Sequence, residues 1–175
     1  MADNDTQTVM EVDVSEGATE PDYDSITGIV VDGFIGAVGG LVGTAVMTAV
    51  LLVGATLGAF DLNSFAVLAE LTGTQTFFPS NPAAIGYLIF LGGGMVTWPL
   101  LFASIGSYLP GEKYATKGLP YGFVLWTGFA LAFYEGYTGV LLALYLVLTL
   151  IAHFAYGFAL GAVFDYLSNR STTLV

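Results

Sequence analysis

From Leu119 to Leu167 the chain runs for 49 residues in which Glu135, His153 and Asp165 are the only charged or imidazole side chains. A hydrocarbon slab about 30 Å thick is crossed by roughly 20 apolar residues at 1.5 Å each, so a run of this length is too long for one crossing helix and sufficient for two. Its one polar break, "YEGYT" (Tyr134 to Thr138), sets the connection between them. Two further apolar windows lie upstream. The resulting expectation is an all-α, four-transmembrane-helix bundle with helices at about 34–60, 82–108, 115–133 and 139–167, together forming a membrane domain over 26–170.

Composition agrees. Of 175 residues 55% are hydrophobic and only 10% charged, against about a quarter charged in ordinary soluble domains. Eight of the fourteen acidic residues fall before residue 25, in a stretch with no basic residue and little apolar content. Such a segment cannot bury enough surface to offset its ordering entropy, so residues 1–25 are expected to be a disordered acidic cytoplasmic tail. It lacks the basic and apolar regions of a secretory signal. The acid excess suits a protein adapted to high salt, and equally suits an ordinary solvated tail. With no cysteine, disulfides, thiolate metal sites and cysteine nucleophiles are excluded.

Local signals mark the connections. Asn63 or Ser64 can cap a short helix with Phe65, Val67, Leu68 and Leu71 mostly on one side and Gly73 at its end. It reads as an interfacial helix between the first two crossings, or as a lid over a site among them. Phe77 and Phe78 follow as headgroup-level anchors. Ser80 or Asn81, with Pro82, opens the second crossing, and Pro110–Gly111 closes it. The three basic residues, Lys113, Lys117 and Arg170, share one side if there are four crossings. The positive-inside rule then places both termini in the cytoplasm of a cell-membrane protein.

Glycines four apart within the helices, among them Gly36 and Gly40, Gly39 and Gly43, Gly54 and Gly58, Gly118 and Gly122, and Gly157 and Gly161, predict close backbone approach. The simplest partner for these stripes is another helix of the same chain; a second copy or another subunit is the alternative. Pro99 after "GGGMVTW" predicts a kink, with Thr97 or a neighbouring helix serving the carbonyl it frees.

The intramembrane polar candidates are His153, Thr97 and Glu135. Asp32, Glu135 and Asp165 read as interfacial, whereas His153 falls near the bilayer centre, on the face that carries Thr149, Tyr156 and Gly157. Three roles suit it: a hydrogen bond to a facing helix, a haem or metal ligand completed by a partner, or proton handling. The hydrogen bond is favoured because a neutral imidazole is far cheaper to bury than a charge. One histidine rules out a two-histidine haem site within the chain, so no cofactor is assigned and His153 stays the candidate cofactor residue. No GxSxG, Walker A or HExxH pattern occurs, and the chain is expected not to be an enzyme.

The segments "GLVGTAVMT", "FAVLAEL", "KGLPYGFVLW" and "HFAYGFALG" resemble an uncharacterised family of small four-helix membrane proteins whose haloarchaeal members are sometimes labelled cytochrome c oxidase subunits. The resemblance covers about residues 30–167. It implies an accessory or assembly subunit of a respiratory, haem-copper oxidase-like complex, with a small transporter, a proton conductor or a haem carrier as alternatives. The expected partners are the lipid bilayer and other membrane subunits or a second copy, and no nucleic acid.

Overall fold

The computed structural model describes residues 23–171, and the chain is all-α. Residues 1–22 of the expected tail lie outside the described residues, while Tyr23–Ser25, counted with that tail, already form the first turn of a helix. Five helical elements follow one another: α1 (Tyr23–Thr56), α2 (Leu62–Leu71), α3 (Pro82–Tyr108), α4 (Tyr114–Ala132) and α5 (Gly139–Ser171). Three segments are long and apolar enough to cross a membrane: Val30–Thr56, Pro82–Tyr108 and Gly139–Leu167. The chain is a membrane protein on that ground. α4 is shorter, and Lys117, Pro120 and Tyr121 dilute its apolar character.

The first helix stops at Thr56 rather than at the expected Phe60. Gly58 adopts φ +69°, its amide reaches Ala55 O at 3.1 Å, and the Ala59 amide reaches Gly54 O at 2.9 Å. This is a Schellman cap, so Gly58 ends the helix and does not extend the packing stripe.

The glycines set the pairings. α1 runs antiparallel to α5, with Gly39 against Leu160, Gly43 against Tyr156 and Gly54 near Leu148. It runs antiparallel to α3 as well, where Gly36 meets Pro99, Gly40 meets the Gly94 carbonyl, and the Thr48 and Tyr87 hydroxyls lie 3.0 Å apart. α4 lies along α5, with Gly118 on Gly157, Gly122 on the His153 carbonyl and Gly161 on the Tyr114 carbonyl. A Cβ at any of Gly40, Gly118, Gly122, Gly157 or Gly161 would collide with a neighbouring backbone. The start of α1, the end of α3, the start of α4 and the end of α5 therefore share one end of the bundle.

At the opposite end α2 folds inward. Asp61, not Asn63 or Ser64, caps it: its carboxylate accepts from the Asn63 amide at 2.8 Å and from Asn63 Nδ2 at 3.0 Å. Phe65 is buried, and its carbonyl sits where a side chain on Gly86 would go. Phe60, Tyr87, Phe90 and Phe133 pack against its ring, and Phe129 stacks on Phe133 at 4.2 Å. Leu71, expected mostly on one side with Phe65, is instead exposed, and Ala69 takes the buried place. Gly73 ends this segment at φ +72° as its position predicts, and Phe77 and Phe78 stand exposed.

Candidate functional site

Pro99 acts through the turn before it. Gly93–Thr97 forms a π-helical turn in which the Trp98 amide bonds Gly93 O, five residues back. The next bond of that register would run from residue 99 to Gly94 O, and proline has no N–H to donate. The Gly94 carbonyl is left over at membrane depth, where an unsatisfied backbone group is costly. The buried Tyr156 hydroxyl on α5 donates to it at 2.8 Å. A second buried tyrosine, Tyr121 on α4, donates to Trp98 O at 2.6 Å. The neighbouring helices thus serve the kink, while Thr97 lies exposed at its side.

The backbones of α3 and α4 stay apart, and the two helices meet through side chains such as Tyr121 on Trp98 O and the Phe90–Phe129 ring pair at 6.1 Å. A cavity of about 480 Å³ lies in the gap. Thr44, Tyr156 and His153 lie at its buried side, Leu68 of α2 and the phenylalanine cluster border it towards the α2 end, and Thr97, Trp98, Val124, Thr127 and Gly128 form an exposed rim. A lid role for α2 is thus represented by Leu68 alone. The rim falls in the middle of α3 and α4, so the mouth faces sideways, towards the level of the hydrocarbon.

His153 is 3% exposed. Its Nδ1 lies 2.7 Å from Thr149 O, and a carbonyl only accepts, so Nδ1 carries the proton and the neutral ring keeps its lone pair on Nε2. The expected bond to a facing helix is therefore replaced by one within its own helix. From α4 the ring receives the edge of Phe129, with centroids 4.7 Å apart. The polar tie between α4 and α5 is instead Trp126 Nε1, which donates to Thr149 Oγ1 at 3.0 Å while that hydroxyl donates to Tyr145 O at 2.6 Å.

Thr44 is 1% exposed, lines the same cavity, and its Oγ1 has no hydrogen-bond partner. Sequence reasoning missed it, since a threonine in a glycine stripe reads as a small packing residue. The pairing that exposes it is only visible in three dimensions: a Cβ on Gly94 would strike its hydroxyl.

Of the three polar candidates, His153 and Thr97 meet at this cavity and Glu135 does not. Glu135 borders a separate hollow at the α2 end of the bundle, beside Asp61 and Tyr137. There, burial pushes the Tyr137 hydroxyl above its usual range, reinforced by the charges of Asp61 and Glu135, and the hydroxyl has no hydrogen-bond partner. Asp165, placed at the interface by its position, accepts from the Tyr114 amide at 3.0 Å and the Ala115 amide at 2.9 Å, capping α4 from another helix. Among the described residues no group of three or more His, Asp or Glu side chains is placed to hold a metal ion.

Residues 30–175 match a family of unknown function, DUF6789. The chain belongs to that family. The match takes in every residue of the cavity, α1 from Val30 onward, and all of α3, α4 and α5. No curated protein and no solved structure matches the chain.

Proposed function

We propose that this chain is a non-enzymatic, four-crossing subunit of the cell membrane, with both termini cytoplasmic, that serves as an accessory or assembly component of a respiratory, haem-copper oxidase-like complex. One observation carries the non-catalytic reading: the polar side chains within the helices are mostly committed to holding helices together. Tyr156, Tyr121, Trp126 and Thr149 each bond a neighbouring helix or its own backbone. The surface left over is apolar, with Leu88, Val96, Val124 and Leu131 exposed, and Gly92 and Gly128 offer room for close approach by a helix of another chain. The respiratory assignment rests on the sequence resemblance. The fourth crossing is supported by α4 lying along α5 from Tyr114 to beyond Gly122 and by its 19 residues, about 28 Å at the helical rise. The net charge of −11 suits a salt-rich setting.

Purification from native membranes in mild detergent, followed by mass spectrometry and a visible spectrum, is the test. Respiratory subunits are expected to co-purify with the protein. Recovery of the chain alone and colourless would defeat both this reading and that of a haem carrier with a partner-supplied ligand, for which the free Nε2 of His153 is the supporting observation.

A further inference from the structure

Two polar groups at the buried side of the cavity are not used by the fold. Thr44 Oγ1 is buried and without a partner, and a buried hydroxyl left unbonded is costly. His153 commits Nδ1 to its own helix, which leaves Nε2 as an acceptor. One group can both donate and accept, the other only accepts, and both line one space of about 480 Å³, within the range of small-ligand pockets. The remaining walls are apolar. Gly93, Gly94 and Gly128 contribute no side chain, and the rings of Phe90 and Phe129 stand beside them, which favours a flat guest over a branched one. The mouth lies between α3 and α4 at the depth of the acyl chains. A guest entering there arrives dissolved in the bilayer.

We propose that this cavity binds the head of a lipid-soluble quinone or hydroquinone, with a ring oxygen hydrogen-bonded to Thr44 and, in the reduced form, a ring hydroxyl donating to His153 Nε2. The claim concerns binding alone and holds for the isolated chain, whether or not it docks onto a larger complex.

The two tryptophans give a readout, because Trp98 stands on the rim and quinones quench indole emission. Purified protein in lipid nanodiscs is titrated with a decyl-tailed benzoquinone and, under argon, its hydroquinone. Saturable quenching is expected, and it is expected to fall in Trp98→Phe to the share carried by Trp126. The benzoquinone Kd is expected to rise tenfold or more in Thr44→Val, which keeps shape and loses the hydroxyl, and the hydroquinone Kd likewise in His153→Leu. Should His153→Leu fail to fold by circular dichroism, Gly128→Leu replaces it. A Cβ at Gly128 meets nothing within 4 Å and the residue stands on the rim, so a longer side chain there is directed at the mouth, and binding is expected to fall tenfold in a variant that folds as the native chain does. Gly92→Leu, equally open but off the cavity, is expected to bind as the native chain does. Quenching that rises linearly with quinone-to-lipid ratio in every variant would reveal partitioning and overturn the proposal. So would a Kd unmoved by Thr44→Val and Gly128→Leu. Haemin binding lost in His153→Leu, with no competition from benzoquinone, would overturn it in favour of a metal-ligand role.

Discussion

Tyr156 joins three parts of the molecule. Its ring fills the notch left by Gly43, its hydroxyl completes the backbone of α3, and its flank borders the cavity. Tyr156→Phe keeps the ring and removes the only donor the structure gives Gly94 O. The expected loss is about 1–3 kcal/mol, the cost of one buried unsatisfied acceptor, read as a lowered midpoint in denaturant unfolding from mixed micelles. An unchanged midpoint would mean that another group reaches Gly94 O. The turn between α4 and α5 carries a separate sensitivity. Because burial raises the Tyr137 hydroxyl, the neutral form is favoured when folded, so its contribution is whole below the unfolded value near pH 10 and is lost as pH climbs through the higher folded value. Ultraviolet difference absorbance of phenolate, followed from pH 9 to 12, should show this tyrosine titrating after the exposed ones.

At the level of elements, close approach decides which helices pair. Gly118 and Gly157 face one another so tightly that a methyl on either meets backbone, so Gly118→Ala is expected to cost about 1–3 kcal/mol through overpacking. Gly128→Ala on the same helix, with open space at its Cβ, should be neutral or slightly stabilising through helix propensity. Equal effects of the two in thermal unfolding would remove the packing explanation. Length and apolar character made the four long helices readable from residues alone, and glycine spacing announced close approach without saying which helices meet. The helix ends were less so: Gly58 looked like one more small residue in a stripe until its positive φ showed it closing α1. The site was half readable. An isolated histidine in an apolar run announces itself, whereas the empty partnership of Thr44 and the debt of Gly94 O to Tyr156 depend on which helices face each other and on a change of backbone register at Pro99, and neither has a local signature.

For the whole molecule, the antiparallel order of α1, α3, α4 and α5 brings the first turn of α1 and the end of α5 to one end of the bundle. Labelling of single cysteines at Ser15 and Thr173 by a membrane-impermeant maleimide is therefore expected only after the membrane is opened; labelling of either on intact cells would reverse or break the proposed orientation. The Asp165 cap adds a matter of timing. The Tyr114 and Ala115 amides leave the ribosome about fifty residues ahead of the carboxylate that receives them. During synthesis α4 must wait with its first turn open, and a chain cut short before Asp165 never closes it. The last helix thereby completes the start of the one before it, across about fifty residues of chain.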